Sequence, residues 1–421
     1  MHLLPYILVV LTASAIYVPL HPRVDPCEQQ VEENEDVELD GPTTAGTAGI
    51  GAEFESPFFY FTNLSCSAPD TYKAKGQVIN GRTGTNWKLT ADTIGSMGGK
   101  VNAEYILLGQ NIEVGSGDAA KAGAAIAQDL IDSPSKGQDP ETLEWAPQIT
   151  APMPLEGLYS LMKEQLTDPD LDSRNDLDGF PTQEDGNGDG YLIVVTQKYF
   201  QSNTNGIDGS KVTDDVLAFC SLVLSYAKLA SISLGPTQSP KLFTTFMPRT
   251  EFTTIYTMVE NKIPGDLFTL FNSLACYTTE NGNVVVDSTY CSGPPASPRS
   301  NNKFGALGFK NPYASVNIKS WIQGIGDKSP TPDLLSAFDK SIDGSIGGLG
   351  TQTEKMWNSQ RSVPLFEFRD LLETPTSGFE TFMDKVDTSI QALHRTFANP
   401  PQKRKRQVPA SCIVTANTPA T

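Results

Sequence analysis

Gly51-Ala52-Glu53-Phe54-Glu55-Ser56, followed after one proline by Phe58-Phe59-Tyr60-Phe61, is the stretch that decides the fold of this chain. Its aromatic content favours an extended strand. Side chains alternate along a strand, so Glu53 and Glu55 point to one face and Phe54 to the other. The Cα atoms of the two acids then lie about 6.5–7 Å apart, a spacing at which two carboxylates bracket a divalent cation. Two acids in so apolar a segment are costly unless neutralised, and the alternative is that they form the solvent-facing side of an edge strand.

A second strand with the same alternation is predicted at Pro364-Leu365-Phe366-Glu367-Phe368-Arg369. Glu367 and Arg369 share one face, opposite Phe366 and Phe368. A carboxylate and a guanidinium so placed suit a metal–phosphate site, because the acid holds the cation and the guanidinium holds phosphate oxygens. A surface ion pair on a half-exposed strand is the alternative interpretation.

Strands and helices alternate along the rest of the chain. Further strands are predicted at 87–90, 103–107 and 191–195, with a hairpin turn at Asn281-Gly282. Helices are predicted at 119–131, 155–166, 212–232, 250–259, 267–274, 333–340 and 378–397. No fixed-period repeat is present. The interleaving predicts an α+β fold in a single domain over residues 48–398.

The two ends of the chain are predicted to lie outside this domain. Residues 1–15 have the apolar run and the terminal Ala13-Ser14-Ala15 of a cleavable signal peptide, so we expect a secreted, extracellular protein. Residues 16–47 form a predicted disordered acidic lead. The tail, residues 399–421, carries four consecutive basic residues at 403–406, which are either a processing-protease site or solvated charge.

Charge and residue counts exclude several classes of function. The chain has 31 Lys and Arg against 49 Asp and Glu, a net charge of −18, which excludes nucleic acid and anionic membranes as main partners. No later segment approaches the ~20 apolar residues of a membrane span. Of the three histidines only His394 is expected within the fold, so His-rich zinc sites and Ser-His or Cys-His nucleophiles are not expected.

The cysteines and one sequon match an oxidising compartment. The six cysteines are an even number, as a disulfide framework requires. Cys276 and Cys291 flank the predicted hairpin and are proposed as a pair, whereas Cys220 lies in an apolar helical stretch and is expected either to pair or to be a buried free thiol. Asn63 begins a glycosylation sequon.

An acidic loop has the beginning of a calcium-binding motif. Asp185, Asn187 and Asp189, with the glycine that follows, match the first positions of an EF-hand-type loop. Thr196 stands where that motif has a bidentate Glu. The loop is therefore either a weak Ca²⁺ site or a mobile acidic surface loop.

Four segments taken in order resemble the glutamine synthetase-like carboxylate–amine ligases, in particular the amidoligases. They are a Gly-x-Glu-x-Glu strand at Gly51 to Glu55, a Trp strand leading to an Asp at 87–92, a Glu-bearing strand at 103–106, and Glu-Phe-Arg at Glu367 to Arg369 before a final helix. The resemblance extends over residues 49–397. It implies a mainly antiparallel curved sheet with flanking helices.

The resemblance also implies a site. Glu53, Glu55, Glu104 and Glu367 would hold two or three Mg²⁺ ions that bridge the phosphates of ATP. Arg369 would stabilise the transferring phosphoryl group and bind ATP, and Arg249 is a further candidate ligand for phosphate or a carboxylate. A competing alignment puts Gln148 of 147–152 where the family has an acid in Glu-x-x-Ser-Pro, and both assignments are open.

The implied activity is ATP-dependent amide-bond formation between small-molecule or peptide carboxylate and amine substrates. A secreted member of this class would act as an effector or toxin. One alternative is a catalytically inactive interaction protein on the same scaffold. Another is a carboxylate-based glycoside hydrolase, because acidic residues are plentiful and the sequence does not state their separation.

Overall fold

The structure is a computed structural model. It describes residues 16–17, 48–61, 76–94, 101–133, 139–167, 193–201, 212–231, 246–280, 283–286, 318–327, 353–369, 371 and 373–398.

The described strands form one large sheet and one hairpin. In chain order they are β1 (Ile16–Tyr17), β2 (Gly51–Phe61), β3 (Val78–Thr83), β4 (Trp87–Ile94), β5 (Val101–Leu107), β6 (Glu144–Pro152), β7 (Phe246–Pro248), β8 (Tyr277–Glu280), β9 (Asn283–Val286), β10 (Thr353–Lys355), β11 (Ser362–Phe368) and β12 (Thr374–Pro375). The large sheet has the order β10-β11-β6-β2-β5-β4-β3, with β7 paired to β11, β12 to β6 and β1 to β2. All of its pairings are antiparallel except that of β1 with β2.

Eight α-helices accompany the strands in the described part of the chain. They are α1 (Asp118–Ile131), α2 (Leu155–Thr167), α3 (Ile193–Gln201), α4 (Asp214–Ser231), α5 (Phe252–Val259), α6 (Leu267–Leu274), α7 (Ile318–Gly326) and α8 (Phe379–Ala398). Helices and a curled antiparallel sheet together confirm the predicted α+β class.

One face of the sheet is apolar and packs on helices α1 and α8. Phe54 of β2 is fully buried and stacks on Phe379 of α8, with the ring centroids 4.1 Å apart. Trp145 of β6 meets the same Phe379 ring edge-on at 5.7 Å. Burying each such side chain contributes about 1.5–3 kcal/mol. This face anchors the sheet, and it leaves the opposite face of the same strands for polar side chains.

A buried histidine ties α8 to the edge of the sheet. His394 Nδ1 accepts a hydrogen bond from the backbone N–H of Trp357 at 2.9 Å. Its Nε2 atom lies 2.7 Å from the carbonyl oxygen of Pro152 and donates to it in the neutral tautomer. Burial lowers the pKa of His394, so the neutral ring is the form that fits both contacts.

Most of the predicted elements are confirmed, and one is wrong. Of the strand predicted at 191–195, residues 193–195 are instead the beginning of α3. Its branched residues favour a strand locally, but Val195 and Tyr199 are buried four residues apart, which is the spacing of one helix face. Strands β1, β3, β6, β7, β10 and β12 and helix α7 were not predicted.

The two prolines of β6 explain why this central strand is hard to recognise. Pro147 pairs with Phe54 of β2 on one side. On the other side it falls between the residues that pair with β12 and those that pair with β11. The missing N–H of proline is tolerated at such a break in the ladder.

Several predictions fall outside the described residues. These are the signal peptide, the lead beyond Tyr17, the sequon at Asn63, the calcium loop with Asp185, Asn187 and Asp189, the helix at 333–340, Cys291 and the basic tail. Cys220 is a free, buried thiol, as one of its two interpretations expects. The pairing of Cys276 with Cys291 stays a prediction.

Candidate functional site

The polar face of the sheet brings together acids from neighbouring strands. Glu55 of β2 lies directly opposite Glu104 of β5, and Glu104 lies opposite Thr90 of β4. Glu53 of β2 lies opposite Gln148 of β6. Directly paired residues in an antiparallel sheet point to the same face, so these five side chains share the face opposite Phe54.

Three carboxylates on this face form an acidic triad, which we define as Glu53, Glu55 and Glu104. Each has an oxygen within 4.8 Å of an oxygen of the other two. Thr90 Oγ1 donates a hydrogen bond to Glu104 Oε1 at 3.0 Å. Gln148 Nε2 donates to Glu55 Oε1 at 3.0 Å. Neutral donors from the strands on either side therefore orient two of the three acids.

Glu367 of β11 is held by two arginines beside the triad. Its carboxylate is fully buried; Arg369 Nε donates to Oε1 and Arg249 Nη2 contacts Oε2. The same Arg249 nitrogen lies 3.8 Å from Glu53 Oε1. Arg249 follows β7, whose pairing with β11 brings it to this position. The guanidinium of Arg249 therefore links Glu367 to the triad.

The triad is crowded with negative charge when it is fully ionised. Burial raises the pKa of Glu53 to about 8, and the charges of Glu367 and Glu55 add to this while Arg249 opposes it. Burial also raises the pKa of Glu104 to about 9, with further contributions from Glu53 and Asp92. The triad therefore favours bound protons or a bound cation.

Arg369 stays charged in this setting. Burial acts to lower the pKa of Arg369, but the charge of Glu367 and the hydrogen bond to it more than offset burial, so the pKa is raised. Arg369 is about a quarter exposed, and Arg249 is more enclosed. One carboxylate between two guanidiniums leaves a net positive charge next to the triad.

The structure brings the six predicted site residues to one face of the sheet. Glu53, Glu55 and Glu104 meet in the triad, and Glu367, Arg369 and Arg249 form the adjoining ion-paired group. Gln148 contributes its amide to Glu55, so both residues of the competing alignments, Gln148 and Glu104, face this site.

Two threonines of the site were missed by sequence reasoning. Thr90 lies two residues before Asp92 on the predicted Trp strand, so strand alternation alone would have placed it on the acidic face. Thr150 lies opposite both Gly51 of β2 and Glu367 of β11. No local signal marks Thr150, because its position depends on the unpredicted strand β6.

A cavity of about 420 Å³ lies away from these residues. It is lined in part by Glu156, Asp215, Lys262 and Arg361. Lys262 pairs with Asp215, and Arg361 Nη2 lies 2.6 Å from Glu156 Oε2. Its charges are thus neutralised internally, and the polar face of the sheet is the better candidate for chemistry.

Comparison with known proteins adds no family to this description. The chain matches no protein family model, no curated protein and no solved structure. Among the described residues, no helix combines the length and the apolar character that crossing a bilayer requires. The geometry of the polar sheet face is therefore the evidence for a function.

Proposed function

We propose that this chain is a secreted, ATP- and Mg²⁺-dependent carboxylate–amine ligase with a glutamine synthetase-like fold. The observation that carries the proposal is the convergence of the three triad carboxylates beside Glu367 and its two arginines on one sheet face. The four sequence segments of the resemblance supply the strands that meet there. An effector or toxin role agrees with the predicted signal peptide.

The donor set of the triad suits a hard divalent cation. Carboxylate oxygens are the ligands that Mg²⁺ prefers. Burial and mutual repulsion raise the pKa values of Glu53 and Glu104, and a cation relieves this repulsion. Glu53, Glu55 and Glu104 would hold Mg²⁺, which when bound neutralises phosphate charge.

Glu367 has a different role in this proposal from the one that the resemblance implies. Both of its carboxylate oxygens contact guanidinium groups. We therefore assign it to positioning Arg249 and Arg369 instead of ligating metal. Because Glu367 already holds the two arginines, they lose little further side-chain freedom when an anion binds. This is the preorganisation that electrostatic catalysis requires.

The reaction proceeds in two displacements. A substrate carboxylate oxygen bonds to the γ-phosphorus of ATP while the bond from that phosphorus to the β,γ-bridging oxygen breaks, which yields an acyl phosphate and ADP. The amine nitrogen then bonds to the acyl carbon and gives up a proton to water, and inorganic phosphate leaves. Arg369 would stabilise the charge of the transferring phosphoryl group, and Arg249 would bind an anionic oxygen next to it.

Nucleotide binding tests this function directly. Calorimetry of the purified chain should detect ATP binding that requires Mg²⁺ and disappears in Glu104→Gln. A matched control is Glu141→Gln, because Glu141 is exposed and lies outside the sheet. ADP should accumulate when carboxylate and amine substrates are supplied.

Two results would favour the alternatives. Absence of Mg²⁺-dependent ATP binding in the folded wild-type protein would favour an inactive interaction protein on this scaffold. Sugar release from polysaccharides that persists after complete removal of ATP would favour a glycoside hydrolase.

A further inference from the structure

One buried hydroxyl on the polar sheet face has no hydrogen-bond partner. Thr150 of β6 is 4 % exposed, and among the described residues its Oγ1 atom is one of the few buried side-chain polar atoms left unsatisfied. Leaving such a group unpaired costs about 1–3 kcal/mol. A bound ligand that accepts this hydrogen bond would remove the cost.

A second unpaired donor belongs to Arg249. Its Nη2 atom contacts Glu367 on β11 and lies 3.8 Å from Glu53 Oε1 on β2, and β6 runs between these two strands. Adjacent strands lie about 4.8 Å apart, so the guanidinium must lie over β6, the strand of Thr150. Its Nε atom is buried and also lacks a hydrogen-bond partner within the described structure.

A glycine leaves space beside these donors. Gly51 lies directly opposite Thr150 in the β2–β6 ladder. A Cβ atom built at Gly51 would meet nothing closer than 3.7 Å, and one of its two nearest neighbours is Thr150 Cβ. A methyl group therefore fits beside Thr150 in ordinary van der Waals contact, in space that glycine leaves unfilled. We define the Thr150 notch as this unfilled space beside Thr150 and Gly51, on the strand over which the Arg249 guanidinium lies.

We infer that the Thr150 notch binds the carboxylate group of the substrate, a role that rests on the proposed ligase function. An O–H donor and a guanidinium N–H donor, both unsatisfied, are groups that donate hydrogen bonds to carboxylate oxygens. The notch adjoins Glu53, so this carboxylate would lie next to nucleotide phosphates held at the acidic triad. Thr150 and Gly51 are thus specificity-determining residues for the acid substrate.

The inference is tested by anion binding to the full-length chain with Mg²⁺ present. The probes are acetate and inorganic phosphate, each titrated separately and followed by ligand-observed NMR. Thr150→Val keeps the shape and removes the hydroxyl, and Gly51→Ala fills the notch at ordinary contact distance. Each should weaken acetate binding by about tenfold or more, because a hydrogen bond to a charged group is lost or blocked. Thr150→Ser should retain most of the affinity.

A matched control distinguishes a binding role from a structural one. Thr376 is fully buried, and its hydroxyl accepts a hydrogen bond from Trp145 Nε1 at 2.9 Å. Thr376→Val should lower the melting temperature and leave acetate affinity unchanged. Thr150→Val should do the reverse: its melting temperature should stay the same or rise, because it removes an unpaired buried group.

Five results would bear on the proposal in different ways. Equal acetate affinity in wild type and Thr150→Val, or no acetate binding by wild type, overturns it. If Thr150→Val weakens phosphate binding and not acetate binding, the carboxylate assignment is wrong. If Thr150→Val weakens acetate binding and the wild type binds no Mg²⁺-ATP, the carboxylate notch is supported and the ligase function fails. Loss of acetate binding with retained Mg²⁺-ATP binding supports both.

Discussion

Glu55 and Glu104 face each other directly across the β2–β5 ladder, and with Glu53 they place carboxylate oxygens within 4.8 Å of one another. Like charges directly opposite in a sheet are destabilising. Natural sheets rarely keep such a pair on a half-buried face unless something neutralises it. The stability of this face should therefore depend on pH and on Mg²⁺.

We predict that Mg²⁺ stabilises the protein more strongly at alkaline than at acidic pH. The pKa values of Glu53 and Glu104 rise from 4.5 to about 8 and about 9 in the folded chain. Their contribution to stability is therefore full below pH 4.5, where both states are protonated, and is lost as the pH rises through 8 and 9. A cation replaces the lost protons, so the Mg²⁺-induced rise in melting temperature should grow over this range.

Glu104→Gln provides the control for this titration. The variant removes one of the repelling charges, so without metal its melting temperature should fall less than that of wild type as the pH rises. It should also lose most of the Mg²⁺ effect. A wild type that Mg²⁺ does not stabilise at any pH would contradict the assignment of the triad as a cation site.

Glu367→Gln should destabilise the fold by about 3–5 kcal/mol, because it removes the buried partner of two guanidiniums. Chemical denaturation with and without Mg²⁺ measures the change. The loss should be the same in both conditions, since Glu367 is assigned to the arginines and not to the metal. A loss that appears only with Mg²⁺ would make Glu367 a metal ligand, as the family resemblance implies.

The contribution of His394 to stability should decrease below neutral pH. Its folded pKa is lowered from 6.5, so its contribution is present above pH 6.5 and is lost as the pH falls through the folded value. Protonation of Nδ1 removes the acceptor for the Trp357 N–H. Acidification from neutral pH should therefore remove the His394 contribution while Glu53 and Glu104 add theirs, so the unfolding free energy should rise less in wild type than in His394→Gln. If the unfolding free energies of wild type and His394→Gln changed identically with pH, this role of His394 would be wrong.

Two phenylalanines of β2 test which face of the strand is buried. Phe54→Ala should cost about 3–5 kcal/mol, the range for a large side chain removed from a packed core. Phe58 is 38 % exposed, and Phe58→Ala should change stability by about 0.5 kcal/mol or less. Urea denaturation of both variants measures the difference. Equal losses would mean that β2 does not bury Phe54 while exposing Phe58.

Strand alternation in the sequence was sufficient to orient the first acids of the site. Glu53 and Glu55 share the face opposite Phe54 because the side-chain period of a strand is fixed by backbone geometry. The same rule places Glu367 and Arg369 together. The α+β class also follows from local patterns, since helices and strands have different periods. The strand predicted at 191–195 failed because branched residues carry a local strand preference that helix packing overrides.

Only the tertiary structure decided which strands lie next to one another. The pairing of β2 with β5 sets Glu104 opposite Glu55, and the pairing of β7 with β11 carries Arg249 to Glu367. These registers join segments far apart in the chain, and they depend on how the sheet packs against α1 and α8. Thr150 shows the limit most clearly: its residue type indicates nothing, and its position on the polar face depends on the pairing of β6 with both β2 and β11.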